Sequence, residues 1–166
     1  MIGLYISIIN LFTEILRRKP LQKKLTVQSE IGTILEGIRD THKFDRVYLI
    51  QFHNGNKFYT GESVQKMTTS YQVVCKGIST YKLDAALTSL WYNPIKDMLG
   101  DGFNVQNILN YRCTATVSKL TAHGVKSCAW VPIYQKNNLV GILGVEHVKA
   151  QRTIDINPLK NLNILL

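Results

Sequence analysis

Residues 124–148, GVKSCAWVPIYQKNNLVGILGVEHV, constrain the fold more than any other stretch. Two runs rich in β-branched and aromatic residues, Val125 to Tyr134 and Leu139 to Val148, are joined by four polar residues, Gln135 to Asn138. Runs of that kind across a short Asn-containing loop predict a β-hairpin. Gly124 ahead of the first strand is suited to end a preceding helix. Gly141 and Gly144 lie inside the second strand, where a missing side chain marks a bend or the close approach of another group. Any fold for this chain must therefore contain a largely buried antiparallel pair near its C-terminal end.

The rest of the chain supplies helices and further strands. Ile31, Ile34, Leu35 and Ile38 fall at i, i+3, i+4 and i+7 and predict an amphipathic helix from Val27 to His42. A strand follows over Arg46 to His53, with Val47, Leu49 and Gln51 on one face and Tyr48, Ile50 and Phe52 on the other. Asn54-Gly55 is a turn signal. A long strand, Ser63 to Cys75, then places Gln65, Met67, Thr69, Tyr71, Val73 and Cys75 on a common face. Leu83, Ala86, Leu87 and Leu90 predict a helix stopped by Pro94, with a further turn at Ile95, Met98 and Leu99. A short strand over Phe103 to Ile108 and a short helix around Cys113, Val117 and Leu120 complete the middle third. Asn157-Pro158 has the look of an N-cap and first helical residue, opening a terminal helix through Leu159 and Leu162. Strands that follow one another by hairpins, with helices gathered around them, define an α+β architecture: an antiparallel sheet flanked by helices.

Composition narrows the function classes. With 166 residues and 45% apolar content the chain suits one domain with a sizeable core. Three cysteines, Cys75, Cys113 and Cys128, show no C-x-x-C spacing, which argues against a zinc knuckle or a disulfide framework and fits a reducing, cytoplasmic setting. The net charge of +9 is concentrated: Arg17, Arg18, Lys19, Lys23 and Lys24 fall within eight positions. That cluster lacks the interleaved aromatics and glycines of a nucleic-acid surface, so nucleic acid is not the expected partner. It follows MIGLYISIINLFTEIL, with eleven apolar residues in sixteen. This segment is shorter than the ~20 residues of a membrane-crossing helix and lacks the flanks of a signal peptide. Gly3, Ser7, Asn10, Glu14 and Arg17 form one narrow polar stripe of a helix ended by Pro20. Three readings follow: homo-oligomerisation through this helix, attachment to an anionic membrane surface on its inner face, or the stub of a membrane anchor. Residues 1–24 are thus expected as an extra N-terminal helix with a basic linker, and 25–166 as the folded domain.

Gly124-Val125, then Val131-Pro132-Ile133, then a turn and Leu139-Val140-Gly141-Ile142-Leu143-Gly144-Val145, resembles the last hairpin of GAF domains. The element order over residues 25–166 is similar to theirs. Phe52-His53-Asn54-Gly55 through Tyr59-Thr60-Gly61 also resembles compact GAF-like proteins of bacteria and tailed phages. The resemblance implies a regulatory, non-enzymatic module that binds a small molecule on one sheet face, as a sensor or sequestering domain. The alternative is a GAF-fold assembly or scaffolding protein, in a phage for instance, working through protein contacts. A cleft crowded by Met67, Tyr71 and Trp130 would mark the scaffold; a hollow, polar-lined one would mark the binder.

No P-loop, G-x-S-x-G elbow, H-E-x-x-H or calcium loop occurs. Histidines at 42, 53, 123 and 147 show no i, i+3 or i+4 pairing, so neither a metal site nor a cofactor is expected. Bilin-binding GAF domains place a Cys followed by His near Cys113, where this chain has Thr114. Phe58, Tyr59, Tyr71, Trp91, Tyr92 and Trp130 are either core or pocket lining. His53, Tyr71, Arg112 and Glu146 are the expected ligand-binding rim, each near a strand end or loop. Arg112 is the natural partner of an anionic group. His53 alternatively holds its turn, and Glu146 and His147 alternatively mark where the strand emerges into solvent.

Overall fold

A computed structural model describes residues 21–160. Helix α1 (Leu21–His42) leads into strands β1 (Arg46–Lys57) and β2 (Ser63–Val74). A long segment then reaches β3 (Ala86–Leu87), a 3-10 turn at Thr88–Trp91 and α2 (Tyr92–Leu99). Strand β4 (Phe103–Val105), α3 (Thr114–Ala122), β5 (Ser127–Gln135), β6 (Asn138–His147) and α4, described over Asn157–Lys160, complete the order. The strands form one antiparallel sheet in the order β3-β2-β1-β6-β5-β4. The α+β expectation holds. The expected helix over residues 1–16 lies outside the described residues, and the 24/25 division falls within α1.

Two cores cover the two faces of the sheet. On one, Val27, Ile31, Ile34, Leu35 and Ile38 of α1 meet Val47, Leu49, Ala129, Val131, Leu143 and Val145. On the other, Tyr48, Ile50, Met67, Trp130 and Ile142 meet Leu83, Trp91, Met98, Ile108 and Leu120 from the segments between β2 and β5. Period-two alternation along β1, β5 and β6 divides the residues between the faces. Helix α1 already includes Leu21, six residues before the expected Val27; Leu21 and Leu25 stay exposed, so these turns rest on helix propensity and carry no buried stripe.

The hairpin β5–β6 closes as expected, in a tighter turn. Gln135 pairs with Asn138, leaving Lys136 and Asn137 at φ 47° and 63° as a two-residue turn of the primed type. Three other expectations are corrected. Asn54-Gly55 is no turn: β1 runs through it to Lys57, and the reversal comes at Phe58 to Glu62, where Phe58 N–H donates to Glu62 O at 2.8 Å. The pair instead sits at an irregularity of register between Asn54 and Lys57. A Cβ on Gly55 would lie 2.7 Å from Lys66 Cε and 3.1 Å from the Val64 carbonyl, so the close approach of β2 explains the glycine. Pro94 lies in the first turn of α2 rather than ending a helix, because first-turn N–H groups have no intrahelical acceptor to lose. The segment Leu83–Leu90 is strand and 3-10 turn, not helix.

A further correction concerns β2. Leu49 pairs with Tyr71 but Ile50 pairs with Thr69, so Ser70 is an extra, unpaired residue. A β-bulge of one residue inverts the alternation beyond it. Met67 stays with Tyr48 and Ile50, whereas Tyr71 and Val73 pack on the α1 face.

Candidate functional site

Three adjacent strands build a buried polar network on the face away from α1. Register pairs Arg46 with Glu146 and Tyr48 with Gly144, which in turn faces Trp130. Gly144 is the seat of the Tyr48 ring: a Cβ there would lie 2.1 Å from Tyr48 Cε2. So seated, the Tyr48 hydroxyl accepts from Trp130 Nε1 at 2.8 Å and donates to Glu146 Oε1 at 2.8 Å. Arg46 Nη1 donates to the other carboxylate oxygen at 2.5 Å. Arg46 and Glu146 are 1% and 0% exposed, so both charges are withdrawn from water. Burial of a charge costs several kcal/mol unless geometry and extra hydrogen bonds offset it. Burial pushes the Glu146 carboxyl up from its ordinary value, and Arg46 and the Tyr48 hydroxyl pull it back. Burial, reinforced by Glu146, raises the Tyr48 phenol well above its own.

The far side of Arg46 is closed by the segment after β2. Arg46 Nη2 donates to Ser79 O at 3.0 Å, but buried Nε has no partner among the described residues. Gln72, next to Tyr48 in register, fixes this strap by accepting from Tyr81 N–H at 2.9 Å and donating to Tyr81 O. The Tyr81 ring stacks on His123 with centroids 3.6 Å apart. Burial lifts the Tyr81 phenol to about 12, and burial and then Arg46 push the His123 imidazole down. One guanidinium, one carboxylate, two phenols and an imidazole therefore lie on this side of the sheet, linked through the Ser79–Tyr81 strap. Such a set has the chemistry to hydrogen-bond and orient a polar or anionic group. Among the described residues no cluster of His, Cys, Asp and Glu is arranged to hold a metal ion.

The four expected rim residues are not brought together. Glu146 is at the centre of the network, buried by its Arg46 partner rather than emerging into solvent; His147 is also buried, against Phe44 at 5.3 Å between rings. Tyr71 lies on the opposite face, displaced by the Ser70 bulge. His53 is exposed on β1, with Nε2 2.9 Å from Thr68 Oγ1 across the hairpin. Arg112 lies at the sheet edge on the rim of a cavity of about 330 Å³, lined also by Asp97, Phe103, Asn104 and Tyr111. There Asp97 accepts from the Tyr111 hydroxyl at 2.7 Å and from Arg112, whose charge is thereby already matched. Cys113, at the start of α3, is half-buried, its thiol pulled down by a hydrogen bond with Thr116.

Arg46, Tyr48, Tyr81 and His123 are not among the expected site residues, and Trp130 is expected only as core or pocket lining. Arg46 and Tyr48 share one face of β1 by alternation, and Gly144 and Glu146 share one face of β6. An i, i+2 charge–aromatic pair opposite an i, i+2 glycine–carboxylate pair was the available signal. Tyr81 and His123 had none, because irregular segments place them.

No family model matches the sequence, and no curated protein matches it. Solved structures do. The blue-light-absorbing form of the PixJ GAF domain from Thermosynechococcus elongatus aligns with a TM-score of 0.67 at 16% identity, over 87% of this chain and 84% of that one. A phycocyanobilin-bound GAF domain from a cyanobacterial phytochrome aligns at 0.61 and 16%, over 95% and 86%. NreA of Staphylococcus aureus, mutated in its nitrate-binding site, aligns at 0.56 and 15%, over 80% and 95%. The fold is therefore GAF-like, as the closing hairpin and strand order imply.

Proposed function

We propose that this chain is a non-enzymatic GAF-like regulatory domain that takes a small polar or anionic molecule beside Arg46, as a sensor or sequestering module. The observation that carries this reading is the buried guanidinium whose Nε has no partner among the described residues, closed over by a strap and the Tyr81–His123 stack. A structural ion pair gains nothing from an orphaned donor, whereas a ligand oxygen would satisfy it. Glu146 is the one expected rim residue kept in this site, with Arg112 at the separate edge cavity as its alternative. The solved neighbours give the reading support, since one is bilin-bound and another has a nitrate-binding site. Thr114 after Cys113 argues against a covalent bilin.

The assembly reading has its own observation: the middle of this face is filled by Met67, Trp91 and Trp130, the two indoles 5.6 Å apart. A thermal-shift screen of nitrate, nucleotides, amino acids and sugar phosphates separates the two. Saturation at 100 times Kd adds about 2.7 kcal/mol of stability. We expect a shift with at least one class that disappears in Arg46→Met/Glu146→Leu. Silence across the screen favours assembly.

Residues 1–24 are proposed to mediate self-association, with an anionic membrane as the other occupant and the domain on the cytoplasmic side. Among the described residues no helix is long and apolar enough to cross a membrane. Light scattering of the full chain and of a form lacking residues 1–20 tests this proposal. A full-length monomer indifferent to vesicles would defeat it.

A further inference from the structure

The end of the sheet opposite the Arg46 network combines exposed aromatics with lysines. The β1–β2 turn is ordered by Phe58 N–H donating to Glu62 O at 2.8 Å and Gly61 N–H donating to Phe58 O at 2.9 Å. Even so it leaves Phe58 54% and Tyr59 109% exposed. Large aromatics held in water by a hydrogen-bonded turn do nothing for the core. The register brings further groups to the same end. Gln51 pairs with Gly141, so the Lys136–Asn137 turn of β5–β6 lies on the Lys57 side. Helix α1 runs back along the sheet, since Arg39 Nη1 reaches Val74 O at 3.1 Å near its C-terminus. At roughly 33 Å for its 22 residues it nearly matches the length of β1, about 40 Å for 12 residues. Leu21 (72% exposed), Lys23 and Leu25 (54% exposed) therefore lie toward that end as well. Lys57 and Lys136 belong to the strand end and turn at this end, Lys66 lies alongside Gly55 on β2 and Lys23 is exposed on α1, with Glu62 as the acidic group of the β1–β2 turn. The sequence adds Arg17, Arg18 and Lys19 immediately ahead of α1.

We infer that this end docks on an anionic lipid bilayer, with Phe58 and Tyr59 entering the headgroup region and the lysines meeting acidic headgroups. Amphipathic aromatic rings favour the membrane interface. Each lysine near an anionic surface contributes on the order of fivefold in partitioning, and the attraction is screened by salt. The excess of positive charge selects anionic over neutral lipid, and the protruding aromatics select a soft interface over a flat ionic one. The inference stands apart from the ligand reading, because the tip and Arg46 lie at opposite ends of β1.

The test uses the full chain carrying Tyr59→Trp, whose reporter contrasts with Trp91 and Trp130, both buried. Vesicles of phosphatidylcholine alone and with phosphatidylserine are compared. With the anionic vesicles we expect a blue shift of the new indole and its quenching by brominated lipid, both reduced in high salt. Phe58→Ser/Tyr59→Ser should lower partitioning at least tenfold with an unchanged melting temperature, as should Lys57→Glu/Lys136→Glu. Binding to vesicles with unperturbed emission from the introduced indole would overturn the inference and leave residues 1–24 as the sole lipid contact. A blue shift that grows with protein concentration in the absence of lipid would overturn it in favour of a protein contact. A retained thermal shift with the Arg46 ligand in these variants keeps the two proposals distinguishable.

Discussion

The two faces of the sheet are built on different principles. The α1 face is covered by one regular helix whose buried residues are all apolar, completed by Phe44, Ile154, Ile156 and Leu159. The opposite face is closed by short, irregular elements and keeps an arginine, a glutamate and a tyrosine hydroxyl out of water. An apolar face needs only volume and periodicity; a charged one needs each partner at a fixed distance. The first is tolerant of sequence change and the second is brittle. Brittle, polar burial that contributes little net stability is where binding function is expected to reside.

The contrast can be broken most forcefully at Glu146. Glu146→Ala leaves Arg46 buried without its counter-charge and should cost about 3–5 kcal/mol, read from the urea midpoint. A loss below 1 kcal/mol would mean water already reaches the pair. On the other face, Leu35→Ala should cost about 2–5 kcal/mol and leave any ligand shift intact. Loss of ligand response there would join the faces functionally. Arg46→Met/Glu146→Leu sharpens the comparison: we expect it to recover more than half of the stability lost in Glu146→Ala, because paired removal strands no charge.

A smaller, pH-dependent effect belongs to His147. Burial pushes its imidazole below the ordinary 6.5, with Asp45 opposing and Arg152 assisting. The unfolded state then binds more protons in the window just below 6.5, so stability is full above that pH and falls as the pH drops through the window. His123 acts in the same direction. His147→Leu should flatten the acid limb of a melting-temperature profile; an unchanged limb assigns it elsewhere. The smallest effect is at the rim. Arg112 is 61% exposed beside Asp97, and Arg112→Ala should change stability by less than about 1 kcal/mol.

These contrasts also explain what the sequence disclosed. The spacing of Ile31, Ile34, Leu35 and Ile38 reports one helix face, and Gly124, at φ 74°, ends α3 where expected. Local patterns of that kind suffice when an element touches one broad apolar surface. They failed at Ser70, where one extra residue moved Tyr71 to the wrong face, and at Asn54-Gly55, whose turn chemistry served a strand irregularity. A bulge is decided by the partner strand, so it has no signature in its own segment. Glu146 was legible as a candidate, but its partner lay in another strand far along the chain, and only the register of β1 on β6 identifies it.

That register has a consequence for how the molecule comes into being. Strand β1 is flanked by β2, which follows it directly, and by β6, and the Arg46–Glu146 bond joins residues 100 positions apart. During synthesis the β1–β2 hairpin emerges early, yet one edge of β1 stays open until β6 has left the ribosome. Over that interval Val47, Leu49 and Ile50 lack their β6 neighbours Val145, Leu143 and Ile142, and Arg46 lacks its counter-charge. Contacts of such long range fold slowly and expose unpaired edges to other chains. A fragment ending before Asn138 should therefore be a ready client for chaperones, and the last strand to appear is the one that commits the whole domain to its native state.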